Sequence, residues 1–112
     1  MGKTQPKVQW YSSLPPLAPE ATAVGLLSEA EWSRDRPDAH GWLTENGCLL
    51  GRCSLWWRQT PTWAGAPLGY IGHWAASAAA PELLAQAGDH LAAQGCQQAI
   101  APLMAAPGAT IA

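Results

Sequence analysis

Apolar and polar residues alternate from Cys48 onward, with Leu49, Cys53, Leu55 and Trp57 on one face of an extended chain and Arg52, Ser54, Trp56 and Arg58 on the other. The pattern predicts a strand over Cys48 to Thr60. Just before it, Gly41 to Glu45 is a short extended run, and Asn46-Gly47 favours a two-residue type I′ turn because both central positions take positive φ. The two segments should form an antiparallel hairpin. Pro61 to Pro67, with Gly65 inside it, reads as a loop because proline lacks the ladder donor, and Leu68 to Ala75 resumes as a Gly-punctuated strand. Ala80, Leu83, Leu84, Ala87 and Leu91 then recur at helical spacing. With Pro81 near the start and Gly95 able to close the end, a helix is predicted over Pro81 to Gln94. Cys96 to Leu103 is a final short apolar strand.

Upstream, the alternating Val8-Gln9-Trp10-Tyr11 lies among Pro6, Pro15 and Pro16, which predicts an edge strand and a Pro-rich connection over residues 1–18. Pro19-Glu20 suits the first turn of a helix, with Ala23, Leu26, Leu27 and Ala30 along one face. Gly25 weakens that helix by about 1 kcal/mol relative to alanine, and Pro37 sets its latest end. The 112 residues make one domain with a modest core.

Charge narrows the partners. Only 12% of residues are charged and the formal net charge is -2, so neither a basic field for nucleic acid nor a polybasic face for a membrane is present. Lys3 and Lys7 precede no apolar run of signal-peptide length, and no apolar run reaches the ~18 residues of a membrane span. The chain reads as cytoplasmic. Cys48, Cys53 and Cys96 are odd in number and form no CxxC pair, which predicts reduced, buried thiols rather than disulfides or a zinc site. His40 and His90 have no partners at metal-ligand spacing, so no metal site is predicted.

The helix carries a resemblance. Leu83-Leu84 to Gly95-Cys96 has the spacing of the ALLxxAxxxAxxxGC segment that follows the fourth strand in the GNAT acetyltransferase family. Leu50-Gly51-Arg52-Cys53-Ser54-Leu55-Trp56-Trp57-Arg58 and Gly69-Tyr70-Ile71-Gly72-His73-Trp74 resemble strands three and four of one bacterial branch of that family. The likeness spans roughly Gly41 to Leu103. It implies an α/β fold, a mixed and largely antiparallel sheet with helices packed on it, incomplete because only strands one to five are present, in a partial domain over residues 19–103.

The resemblance also implies chemistry: acyl transfer from acetyl-CoA to a small-molecule or peptide amine, with the cofactor wedged where strands four and five splay apart. In the family, the pyrophosphate sits on backbone amides at the helix start, in a Q/R-x-x-G-x-G/A pattern. Those positions fall on Ala75, Ala78 and Ala80, of which only Ala80 fits the pattern, so the loop is altered; alanine still allows close approach but resists positive φ. Gly72, Trp74, Ala75, Ala78 and Ala80 are the expected cofactor contacts. His73, near the end of the fourth strand, is the expected catalytic group that takes a proton from the amine; the plainer reading of a lone histidine on an apolar strand is a hydrogen-bonded structural residue.

Seven tryptophans and no phenylalanine suggest a competing function, a non-enzymatic interaction domain presenting indoles to sugar rings or an apolar peptide. Alternation opposes it, because Trp56 and Trp57 point to opposite faces, and core packing accounts for most such indoles. No Ser/His/Asp or Cys/His set has a local motif, and there is no Walker-type loop.

Residues 104–112 turn abruptly to Ala, Pro and Gly where this family branch continues with D-G-S-T-W-R-x-Y-R. The codons of Leu103 to Ala112, read one base out of step, are compatible with that motif at every position. The expectation is therefore an out-of-frame tail after loss of one base near the Leu103 codon, in an inactive or impaired fragment whose exposed sheet edge favours self-association.

Overall fold

The computed structural model describes residues 6–15, 19–77 and 79–103. Within them the chain runs β1 (Lys7–Tyr11), β2 (Ala21–Thr22), α1 (Glu29–Asp35), β3 (Ala39–Glu45), β4 (Cys48–Trp56), β5 (Thr62–Trp63), β6 (Ala66–Ala76), α2 (Ala80–Ala93) and β7 (Gln98–Leu103). The architecture is mixed α/β with a mostly antiparallel open sheet. β1, β3, β4 and β6 pair antiparallel in that spatial order. β7 joins β6 in parallel, which requires a crossover, and α2 supplies it. β2 adds a short parallel pairing at the start of β4, beyond the point where β6 ends.

The β3–β4 hairpin turns through Asn46 and Gly47, both at positive φ (54° and 79°), as the dipeptide predicts. The sheet's principal apolar face packs on α2. Leu43, Cys53, Leu55 and Ile71 meet Leu83, Ala87 and Leu91 there, all buried. Gly69 lets α2 sit close, since a Cβ at that position would fall 2.7 Å from Leu91 Cδ1.

Two departures from strict pairing decide which side chains face which side. Leu43 opposes Gly51 while Thr44 opposes Leu49, so Leu50 is the extra residue of a β-bulge. The bulge overturns the expected alternation at its start: Leu50 packs against the α2 core, and Leu49, though fully buried, does not belong to it. It also moves the register by one, so Ser54 rather than Cys53 opposes His40. The second irregularity is in β6. Ser54 opposes Gly72 and Arg52 opposes Ala75, leaving both His73 and Trp74 across from Cys53. His73 takes up the extra length at φ 51°, and Trp74 packs against the core.

Several boundaries differ from expectation for local reasons. The first helix begins not at Pro19 but at Glu29, where Ser28 and Glu31 form a capping box: Glu31 N donates to Ser28 Oγ at 3.0 Å and Ser28 N to Glu31 Oε1 at 3.2 Å. Ala23, Leu26 and Leu27 therefore precede the helix, and Ala21–Thr22 is strand instead. β4 stops at Trp56 rather than Thr60, because the Asp38 carboxylate takes the backbone N–H groups of Trp57 and Arg58 at 2.7 and 2.9 Å out of any ladder. Within the expected loop, Thr62–Trp63 pairs with Ala66 and Pro67. The three cysteines are free, with Cys53 and Cys96 buried but Cys48 only partly so. Among the described residues no helix is long and apolar enough to cross a membrane. The expected tail at 104–112 lies outside the described residues.

Candidate functional site

The sheet face opposite α2 is polar at its centre. Ser54 and Arg52 of β4 and His40 of β3 point there by alternation. His73 joins them only because of the bulge in β6: with unbroken alternation it would share the core face of Ile71. A non-glycine residue in the left-handed region is uncommon inside a strand and costs of order 1 kcal/mol, a strain that clusters at functional sites. α1 delivers the last member, Asp35. Arg36 closes that helix in the left-handed conformation (φ 46°), its N–H bonded to Trp32 O at 2.8 Å. This fixes Asp35 at the last helical position, where Trp56 Nε1 also holds its carbonyl at 2.8 Å.

His40, Ser54, His73 and Asp35 form one chain of hydrogen bonds. His73 Nε2 meets Asp35 Oδ2 at 2.7 Å, His73 Nδ1 meets Ser54 Oγ at 2.8 Å, and His40 Nδ1 meets the same Ser54 Oγ at 2.7 Å. The proton inventory follows from donor and acceptor capacity. Asp35 only accepts, so His73 Nε2 carries the proton between them. With a single ring proton, Nδ1 is bare and accepts the Ser54 hydroxyl proton, and Ser54 accepts from His40 Nδ1–H. His40 Nε2 is left as a bare, buried nitrogen with no partner. The His40 ring instead meets Trp32 edge-on, with centroids 5.6 Å apart.

Electrostatics sharpen this arrangement. The Arg34 guanidinium grips both Asp35 oxygens at 2.8 and 2.9 Å, and with the His73 contact it holds the Asp35 carboxyl down at about 2. The pair offsets the cost of placing a carboxylate at the negative end of a helix. Burial, reinforced by the nearby Arg52 charge, pushes His40 down to about 3, so it stays neutral. Burial likewise pushes the Cys53 thiol up to about 12, which makes it an inert core residue. Arg52 donates to the carbonyl of Gly25 and to that of His73, fixing the bulge.

Ser54, His73 and Asp35 are thus brought together from three elements, yet they do not make a hydrolytic triad. Ser54 is fully buried and its oxygen is shared between two imidazoles, so no substrate carbon reaches it. His73 and Asp35 are the more open pair, with side chains 12% and 10% exposed. Both ring nitrogens of His73 are engaged in this state.

The remaining predicted site residues fall on the same strand and the turn after it. Gly72 pairs with Leu103, the last described residue of β7. Trp74 is half-buried and Ala75 pairs with Arg52. Ala80 begins α2, and Ala78 lies outside the described residues. The helix N-terminus has no side-chain cap, and Ala79, at φ 55°, adopts the conformation alanine resists. Among the described residues no group of three or more His, Cys, Asp or Glu is placed to hold a metal ion.

The residues that local reading missed are Asp35, Ser54 and His40. The hairpin register could have placed His40 near Ser54 had the bulge been foreseen; nothing local ties either to Asp35. Among the tryptophans, Trp42 and Trp57 are buried, Trp56 lies against His73 with centroids 5.2 Å apart, and Trp63 is exposed. Comparison with protein-family models, curated proteins and solved structures finds no match to this chain.

Proposed function

We propose that this chain is an N-acyltransferase-type domain of the GNAT kind, holding acetyl-CoA at the end of β6 and passing the acyl group to an amine. One observation carries the reading: β6 takes β7 alongside it in parallel from Leu68 to Gly72, runs on to Ala76, and lies a few residues before the uncapped start of α2. Among the described residues no β7 residue pairs with His73 to Ala76, and a helix start with no side-chain cap lies just beyond. The side chains there are small enough for a pyrophosphate to approach the backbone: Ala75, Ala76, Ser77, Ala79 and Ala80. Bound there, acetyl-CoA would supply a thioester whose C–S bond gives way to the new C–N bond.

The chain's own residues handle the proton. For His73 to take it, the substrate nitrogen replaces Asp35 at Nε2, and Arg34 retains the displaced carboxylate. The ring then needs its proton on Nδ1, and Ser54 allows this: it accepts from His73 Nδ1–H and turns its hydroxyl proton toward His40 Nδ1. His40 carries the change by shifting its own proton to Nε2. Either tautomer of His73 is hydrogen-bonded, which suits a group that gains and loses a proton.

The test is calorimetric titration of acetyl-CoA, checked by tryptophan emission. Saturable binding is expected, weakened about tenfold or more by Ala80→Asp, which sets a carboxylate against the pyrophosphate. His73→Gln should keep binding and lose transfer to amines. Absence of binding up to about 1 mM would sink the reading.

A further inference from the structure

The Asp35 end of the network opens on a surface groove of about 460 Å³ whose walls include Arg34, Asp35, Arg36, Asp38, Trp56 and Arg58. Its charges are unequally committed. Arg34 and Asp35 neutralise one another through a two-point contact. The Asp38 carboxylate is occupied by the N–H groups of Trp57 and Arg58. Among the described residues neither Arg36 nor Arg58 has a carboxylate within ion-pair distance; Arg58 lies over the Trp57 ring, 5.7 Å from its centroid, and Arg36 is the exposed cap at the end of α1. Two guanidinium groups thus line the same groove as Asp35, whose carboxylate is bonded to His73 behind it. The volume is that of a small-molecule site, and guanidinium forks match carboxylate and phosphate oxygens.

We propose that this groove is the acceptor subsite, and that the acceptor is a small amine that also bears an anionic group, carboxylate or phosphate. The anion lies between Arg36 and Arg58, and the amine reaches Asp35 and His73. The identity of the amine end rests on the acyl-transfer reading; the anion end does not. An amine without an anionic group gains only the contacts at the Asp35–His73 end, so the discrimination comes from the two arginines.

The experiment is titration calorimetry with γ-aminobutyrate, phosphoethanolamine and butylamine, on the wild-type chain and on Arg36→Asn with Arg58→Gln. Asparagine tolerates the left-handed backbone at position 36, so the cap of α1 is kept. One or both anionic amines should bind about tenfold or more tightly than butylamine, and the double variant should lose that preference. Comparing the two anionic probes shows whether a carboxylate or a phosphate is read. Equal binding of all three, no binding of any, or a preference that survives both substitutions would overturn the proposal. Should the variant unfold, the wild-type comparison with butylamine still decides. Acetyl-CoA titrated separately keeps the two readings apart: cofactor binding without anion preference removes the subsite alone, and anion preference without cofactor binding removes the acyltransferase reading alone.

Discussion

Acidification from pH 7 to pH 5 should destabilise this protein through His40. The ring is 1% exposed, its Nε2 has no partner, and burial pushes it from 6.5 down to about 3. In the unfolded chain it takes up a proton below 6.5; in the folded chain it stays neutral until about 3. Over the window between those values the unfolded state binds more protons, so stability falls as pH falls. With 1.36 kcal/mol per pH unit and the unfolded ring half-charged at 6.5, the loss between pH 7 and pH 5 comes to about 2 kcal/mol. Urea titrations at the two pH values, followed by tryptophan emission, measure it. His90, also pushed down by burial, loses stability in the same direction, so the diagnostic quantity is the difference from His40→Gln. That variant keeps a polar group near Ser54 and cannot charge. It should retain the His90 loss and lack about 2 kcal/mol of the wild-type pH dependence. Identical pH dependence in the two proteins would refute the account of His40 as a buried neutral ring.

Three further outcomes are expected. Asp35→Asn should cost up to about 2 kcal/mol at neutral pH, less what solvent screening of the exposed Arg34 removes. Because the carboxyl is held down at about 2, the wild-type advantage should persist above 3.8 and vanish as pH falls through 2, which thermal scans across the acid range will show. Ser54→Ala leaves two facing Nδ1 atoms with no hydroxyl between them and should cost about 1–3 kcal/mol by chemical denaturation; an unchanged midpoint would dissolve the network. Leu83→Ala, at a fully buried position against Leu91 and the sheet, should cost about 2–5 kcal/mol in the same assay.

Local chemistry by itself determined a large part of this molecule. Asn46-Gly47 dictates a turn because both of its residues tolerate positive φ, and the hairpin forms around it. The helical spacing of Leu83, Ala87 and Leu91 dictates which face of α2 is buried, because side chains one turn apart share a face. Ser28 and Glu31 also encode the start of α1 within four residues, a legible signal that the upstream Pro19-Glu20 obscured. The candidate site was legible only at His73. Its partners come from Asp35, 38 positions away, and Ser54, 19 positions away, and their meeting depends on two bulges. A bulge reverses the face of every residue beyond it, and whether a strand bulges is decided by its neighbours across the sheet rather than by its own residues. Local sequence therefore specified the β3–β4 turn and α2, where the deciding interactions are local; the tertiary structure alone decided that His73 would turn from the core to face Asp35 and Ser54.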